Sequence, residues 1–117
     1  PGLINSFQAL VNAVPMGNHL VEWVVRFIRD TRPEQSRFEE IRNLVEWGAG
    51  VRASQNIVRA ARARAVLDGS TAVRPEHIRA ILLPVLRHRL LLNFSAEAEQ
   101  WTSDRLIEWL IEHTPFP

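Results

Sequence analysis

The chain is organised around one stretch, Gly48-Ala49-Gly50-Val51-Arg52-Ala53, a glycine-flanked turn that leads into an alanine-rich helix. Apolar and basic residues recur at helical spacing from Val51 to Leu67. At about 100° per residue, basic and polar side chains share one side of this helix and mainly small apolar ones share the other. The small residues permit close approach of a neighbouring helix. The predicted polar side is Arg52, Asn56, Arg59 and Arg62, and the predicted apolar side is Ile57, Val58, Ala61 and Ala65.

Three helices are predicted before the turn. The first spans residues 3–14 and ends at Pro15, and the second begins with Asn18 as its N-cap. The third begins at Pro33, where a missing N–H costs nothing, and ends at the two glycines of the turn. The predicted apolar face of the first helix is Leu3, Phe7, Leu10, Val11 and Val14. That of the second is Leu20, Trp23, Val24, Phe27 and Ile28, opposite a stripe of Glu22, Arg26 and Arg29. That of the third is Phe38, Ile41, Leu44 and Val45.

Glycine and proline divide the chain after Leu67. Gly69 suits the left-handed position that follows a helix, and Pro75 begins the next helix although Arg74 offers it no capping side chain. We expect Pro84 to break that helix, because a proline removes a backbone donor and crowds the preceding turn. In the helix that begins at Pro75, Ile78, Ile81 and Leu82 are predicted to face inward, and a short helix over residues 85–91 and a loop over residues 93–101 are predicted to follow. The last predicted helix is capped by Thr102 or Ser103, and its apolar face is Leu106, Ile107, Leu110 and Ile111.

Length and composition bound the fold class. No useful strand pattern and no internal repeat is visible, so the 117 residues predict one domain over residues 1–117, an all-α compact bundle of about six helices. No run approaches the roughly 20 apolar residues of a membrane span. The absence of cysteine excludes disulfides and fits the cytoplasm. The N-terminal proline is what we expect of a fragment cut from a longer protein, and no secretory signal is visible.

The basic residues are all arginines. The chain has 14 of them and no lysine, yet its net charge is only +1. Arginine presents a planar fork that can bind phosphate or carboxylate through two hydrogen bonds. The even charge balance argues little for nucleic acid by itself. The helix count and the arginine-only composition nevertheless leave a nucleic-acid-binding domain open as an alternative, beside a purely structural interaction module.

The sequence lacks the signatures of catalysis. A phosphate-binding loop ends in a lysine, which the chain does not contain. The four histidines do not share the spacing of metal ligands, so no metal site is predicted. Acidic pairs such as Glu39 and Glu40 fit a hydrated surface. We therefore predict that the chain alone is not an enzyme.

Arg52 is the residue best placed for chemistry. It lies next to a helix N-terminus, where free backbone N–H groups and the helix dipole favour an anion such as phosphate. The competing interpretation is a solvated arginine stripe, which spacing alone favours. Arg64 points toward the apolar side and must reach solvent, pair with an acid or meet a partner.

Six segments of the chain form an ordered set of motifs: Asp30-Thr31-Arg32-Pro33, Gly48-Ala49-Gly50-Val51-Arg52-Ala53-Ser54, Ala60-Ala61-Arg62-Ala63-Arg64-Ala65, Leu67-Asp68-Gly69, Pro84-Val85-Leu86-Arg87-His88-Arg89-Leu90 and Asn93-Phe94-Ser95-Ala96-Glu97-Ala98-Glu99. In this order they resemble the C-terminal lid of MoxR-type AAA+ ATPases. The resemblance runs from about Leu10 to the end of the chain. Two departures are Val51, where the family often has proline, and Arg74, where it often has threonine or serine.

The resemblance implies a function that the residues alone do not. It implies a helical lid that follows an N-terminal AAA+ core, closes over ATP with Mg²⁺, and supplies Arg52 as the sensor-2 residue on the γ-phosphate. Arg59, His88 and Arg89 are auxiliary candidates. The family resemblance further implies a ring of identical subunits, a chaperone-like role in the assembly or maturation of partner complexes, and a von Willebrand factor A-domain protein as a partner. Nucleic acid and membrane partners are not expected.

Two other groups were assigned from the residues. We expect Trp23, Trp47, Trp101 and Trp109 to pack in the core or between helices, with Trp47 bracing the turn beside Gly48. The cluster Arg87-His88-Arg89 fits a helix end, which favours positive charge, at least as well as a functional site.

Overall fold

The computed structural model describes residues 2–116, apart from the side chains of Leu3 and Ile4. In that part of the chain, seven helices and two short strands are present, so the all-α prediction is confirmed. The helices are α1 (Gly2–Ala13), α2 (Asn18–Asp30), α3 (Glu39–Leu44), α4 (Val51–Leu67), α5 (Pro75–Leu86), α6 (Phe94–Ala98) and α7 (Ser103–His113), and the strands are β1 (Val45–Trp47) and β2 (Leu91–Leu92).

Helix α4 lies at the centre of the packing. It contacts α1, α2 and α5, while α5 contacts α7 and α3 contacts α6. Three of the four predicted apolar residues of α4 are fully buried, and Val58 is half-buried. The alanines at the contact keep neighbouring backbones close, as the spacing predicted. The fully buried side of α4 is Ala53, Ile57, Ala61 and Ala65.

Several predicted helix ends are confirmed. Gly69 has φ 72°, the left-handed conformation that suits glycine after α4. Thr102 caps α7, because its hydroxyl accepts a hydrogen bond from the backbone N–H of Arg105 at 3.1 Å. Pro75 begins α5 and, as predicted, no side chain of Arg74 caps it. The buried ring of His77 satisfies a different group, the backbone N–H of Arg74 itself, which donates to His77 Nδ1 at 2.9 Å.

Two predicted helix starts are wrong. Gly17, in an extended conformation, is the N-cap of α2, and Asn18 is already helical. Pro33 does not begin α3, which starts at Glu39. The reason is tertiary: the carboxylate of buried Asp30 accepts hydrogen bonds from Arg37, which holds the intervening residues in a turn.

The predicted break at Pro84 is wrong as well. Helix α5 continues through Pro84 to Leu86, and no separate helix spans residues 85–91. Pro84 lies on the exposed side of α5, where water can satisfy the carbonyl that loses its partner. The next turn re-forms at once, because the Arg87 N–H donates to the Leu83 carbonyl at 2.9 Å.

The strands and α6 were not predicted. β1 and β2 are antiparallel, with Val45 opposite Leu92 and Trp47 opposite Leu91. Strands of three and two residues are too short to show an alternating pattern. Helix α6 occupies the region predicted as a loop, and Asn93 caps it through a hydrogen bond from the Ala96 N–H at 2.9 Å.

The predicted apolar face of α1 is only partly buried. Val11 and Val14 belong to the core, but Phe7 and Leu10 are 37% and 58% exposed. The predicted contribution of the Leu3 side chain lies outside the described residues. The described chain measures 49 × 30 × 21 Å, and α1 packs mainly on α4, so one flank of α1 stays open.

Candidate functional site

The turn before α4 is seated against the end of α2. A Cβ at Gly48 would lie 2.7 Å from the Cα of Arg32 and would collide with the carbonyl oxygen of Thr31. Cβ atoms essentially never come this close to a neighbouring backbone. Glycine is therefore required at position 48 by the close approach of two backbone segments.

Hydrogen bonds lock Ala49 to the same place. Its N–H donates to the Thr31 hydroxyl oxygen at 3.0 Å, and that hydroxyl donates in turn to the Ile28 carbonyl at 2.6 Å. Its carbonyl accepts from Nε of Arg32 at 2.9 Å. Ala49 and Thr31 are both fully buried, so these bonds satisfy groups that water cannot reach. The end of α2 thus fixes where α4 begins.

An ion pair between a buried carboxylate, Asp30, and an exposed guanidinium, Arg37, flanks Thr31 and Arg32 in the chain. Asp30 is 1% exposed, and its Oδ2 accepts from Nη2 of Arg37 at 2.7 Å. Its Oδ1 also accepts the backbone N–H of Arg37 at 3.1 Å. The hydrogen bond that Arg37 donates to Asp30 raises the pKa of the Arg37 guanidinium above its usual value. The turn over residues 31–37 is closed by this pair.

The N-terminus of α4 is free of side-chain caps. Gly50 is the N-cap, no side chain accepts from the first turn, and that turn contains no acidic residue. Arg52 is exposed, and within residues 2–116 it takes part in no ion pair and no side-chain hydrogen bond. Free N–H groups, the positive end of the helix dipole and an unpaired guanidinium therefore lie together.

A depression of about 480 Å³ lies beside this N-terminus. The turn from Gly48 to Val51 forms one wall, and the other sides are formed by Arg32, Glu34, Glu46 and Trp47. The prediction that Trp47 packs in the core or between helices is wrong, because Trp47 is 69% exposed, and this exposure argues against a bracing role for its side chain. The β1–β2 pairing is irregular between Val45 and Trp47, so these two residues do not share the buried face.

The other tryptophans behave as predicted. Trp23 is buried, and its indole Nε1 donates to the Pro115 carbonyl at 2.8 Å. Trp101 and Trp109 are half-buried against the core. None of the three is exposed as a binding surface.

The auxiliary candidates occupy different surroundings. Arg59 is exposed on α4, two turns beyond Arg52, and lines grooves beside α1. His88 is exposed after the end of α5. Nε of Arg89 donates to the Val85 carbonyl at 3.2 Å, as expected for a basic residue at a helix end. No hydrogen bond or ion pair among the described residues joins any of them to Arg52.

Other arginines are paired. Arg64 forms an ion pair of 3.1 Å with Asp68, which is one of the three outcomes predicted for it. Arg87 pairs with Asp104 at 3.2 Å. Within residues 2–116 no group of three potential metal ligands occurs, and no helix is both long and apolar enough to cross a membrane.

Sequence reasoning missed the residues that position Arg52. The sequence analysis named Thr31 and Arg32 only as members of a family motif, and it gave Arg37 no role. The sequence did contain a signal. Asp30 and Thr31 are polar residues at the end of the second amphipathic helix, at positions where the helical pattern places buried residues. It did not identify partners that lie 17 and 18 residues away.

The profile of a protein family described as the AAA lid domain matches residues 37–109, which is more than half of the chain. The chain belongs to the AAA lid domain family. The matched region contains the turn, all of α4 and the two strands, whereas Thr31 and Arg32, which hold the turn, come before it in the chain.

Curated relatives of this lid domain bear MoxR names, which confirms the resemblance. Chaperone MoxR1 of Mycobacterium tuberculosis is 35% identical over 99 residues, which cover 84% of the lid domain and 26% of the relative. Protein MoxR of Paracoccus denitrificans is 48% identical over 50 residues, or 43% of the lid domain and 15% of the relative. The chain therefore spans about a quarter of the length of the first relative and less of the second.

A solved structure shares the fold. The crystal structure of a candidate ATPase from Cytophaga hutchinsonii superposes with a TM-score of 0.86 at 28% sequence identity. The match covers 93% of the lid domain and 33% of that chain. None of these three relatives is named for nucleic-acid binding, so the nucleic-acid alternative gains no support from them.

Proposed function

We propose that this lid domain closes over ATP held by the N-terminal core of a MoxR-type AAA+ ATPase, and that Arg52 is the sensor-2 residue that binds the γ-phosphate. One observation carries the proposal: Arg52 is an exposed arginine with no partner among the described residues, at a helix N-terminus that has no side-chain cap among them and that the end of α2 holds in place. A phosphate bound there would receive hydrogen bonds from the guanidinium and from first-turn amides.

The hydrogen-bond donors at the N-terminus of α4 suit the phosphates of ATP and do not suit Mg²⁺. Arg52 and the free amides of α4 are hydrogen-bond donors, which suit phosphate oxygens and not a cation. Mg²⁺ would be held by the core and would neutralise phosphate charge there. The contribution of the lid is positioning and charge stabilisation. Loss of the γ-phosphate would remove a charge-assisted contact and release the lid to rotate, which in a ring passes the nucleotide state to the next subunit.

The remaining assignments rest on the family. We propose that the whole protein is a cytoplasmic, chaperone-like ATPase that forms a homo-oligomeric ring and acts on partner complexes, with a von Willebrand factor A-domain protein as one partner. The relative from Mycobacterium tuberculosis is itself named a chaperone. The auxiliary roles of Arg59, His88 and Arg89, and the single domain over residues 1–117, also stay predictions.

The test is Arg52→Ala in the full-length protein. A charge-assisted hydrogen bond contributes about 1.5–3 kcal/mol, so we expect ATP hydrolysis to fall by roughly 10- to 100-fold and ATP-dependent assembly to weaken. Arg52→Lys keeps the positive charge but loses the planar guanidinium, so its rate of ATP hydrolysis should lie between those of the wild type and Arg52→Ala. The matched control is Arg74→Ala, another exposed arginine, which should leave both activities unchanged. Unaltered hydrolysis and assembly in Arg52→Ala would remove the sensor role.

A further inference from the structure

A groove runs along α4 on the flank where α1 is open. Two adjoining cavities of about 420 and 490 Å³ form it, and they share Val11, Asn12 and Arg59. On α4 the lining extends from Ser54 to Ala63, a difference of nine positions, which is about 13 Å at the helical rise. This length suits a segment of polypeptide better than a single ion.

The floor of the groove is apolar and its edge is basic. Val11 of α1, Val21 and Val25 of α2 and half-buried Val58 of α4 line the first cavity. Exposed Phe7 extends the apolar surface into the second. The residues that line both cavities include arginines but no aspartate or glutamate. The groove therefore offers positive charge without an internal counter-charge.

Arg62 lines the first cavity of the groove. Its Nε is shielded from solvent and has no hydrogen-bond partner among the described residues. A buried N–H group almost always has an acceptor, and arginine can only donate. Next to the groove, a shallow depression that shares Val21 and Val25 adds Arg26 and Arg29 with Glu22 as its single acid. The Nε of Arg62 has essentially no accessible surface, so a partner would bind the other guanidinium nitrogens of Arg62, in a groove and depression that together contain one acid, Glu22.

We propose that this groove binds an acidic amphipathic helix of a partner protein. Apolar side chains one turn apart would rest on the valine floor, and a carboxylate would accept hydrogen bonds from Arg62 and Arg59. Charge complementarity selects an acidic segment over a neutral or basic one. The groove includes Arg59 but not Arg52, so the proposal does not rest on the sensor role of Arg52.

The test is binding of a fluorescein-labelled 12-residue peptide to the 117-residue protein, measured by fluorescence anisotropy. The peptide carries leucines at helical i, i+4 spacing and glutamates elsewhere, and its twin carries glutamine in place of every glutamate. We expect the glutamate peptide to bind at least tenfold more tightly than the twin. Arg62→Gln should weaken its binding at least tenfold and Arg59→Gln severalfold, while Arg74→Gln, on an exposed position outside the groove, should leave it unchanged.

Arg59 is exposed, so its variant tests the groove even where Arg62→Gln alters the fold, which far-UV circular dichroism will show. Equal binding of both peptides would overturn the proposal, and so would wild-type affinity in both arginine variants. Displacement of the peptide by millimolar inorganic phosphate, or by a 12-nucleotide single-stranded DNA, would instead show a general anion site and also overturn it. Loss of the sensor role of Arg52 would leave these outcomes untouched.

Discussion

The hydroxyl of Thr31 is the contact on which the position of the N-terminus of α4 depends, and Thr31→Val removes this hydroxyl with little change in volume. The wild-type hydroxyl accepts the N–H of Ala49 at 3.0 Å and donates to the Ile28 carbonyl at 2.6 Å. The Ile28 carbonyl keeps a second donor, the backbone N–H of Thr31 at 3.0 Å. The cost of the substitution therefore falls on the Ala49 N–H, which is left buried without an acceptor.

The expected magnitude follows from that single orphaned donor. An unsatisfied buried N–H costs about 1–3 kcal/mol, and the loss of a buried hydroxyl in the variant offsets part of this. We expect a fall of about 1–2 kcal/mol in the free energy of unfolding, or roughly 4–8 °C in Tm for a chain of this size. Thermal unfolding followed by far-UV circular dichroism measures it.

Amide hydrogen exchange distinguishes the mechanism. Thr31→Ser keeps the hydroxyl and loses one buried methyl group, which costs about 0.8 kcal/mol. Both variants should therefore lower Tm, but only Thr31→Val should accelerate exchange of the Ala49 amide beyond the change in global stability. If Ala49 in Thr31→Val exchanges no faster than in Thr31→Ser after that correction, the hydroxyl does not hold the turn and the reasoning fails.

Two further predictions concern the same turn. Gly48→Ala should destabilise the protein by about 1–3 kcal/mol in urea unfolding, because its Cβ meets the backbone of Thr31 and Arg32, whereas Gly50→Ala, with open space around its Cβ, should change stability by less than about 0.5 kcal/mol. Equal effects of the two would contradict the close approach. Trp47→Ala should change the free energy of unfolding by no more than about 0.5 kcal/mol, because the side chain is 69% exposed, and a larger loss in the same assay would restore the bracing role.

The success of the sequence analysis follows the range of the interactions. The apolar side of α4 and the cap at Thr102 depend on residues within a few positions, and both were predicted. The start of α3 depends on Asp30 and Arg37, which override the local preference of Pro33 for a helix start. The two strands pair across more than 40 residues, so no local pattern encodes them.

Continuation of α5 through Pro84 shows the same limit. The cost of a proline in a helix depends on which side of the helix it faces, and that side is set by packing on α4 and α7. Likewise, the sequence predicted where Arg52 stands on α4 but not what holds α4 there. Thr31 and Arg32 form hydrogen bonds to the backbone of Ala49, which lies 18 and 17 residues further along the chain. Because the bonds are to backbone atoms, the identity of residue 49 does not reveal them.

Partner contacts sort the arginines into two groups, which composition alone could not do. Arg32 is committed to a backbone carbonyl, and Arg37, Arg64 and Arg87 to carboxylates. On α4, however, exposed Arg52 has no partner among the described residues, and Arg62 has a buried Nε without an acceptor. The side chains of exposed Arg26, Arg29, Arg59 and Arg74 also have no ion pair or hydrogen bond among the described residues, so Arg52 and Arg62 are distinguished by their positions, at a helix N-terminus and in a groove. We propose that these two positions bind anions supplied from outside the chain: a phosphate at the N-terminus of α4 and a carboxylate along its length.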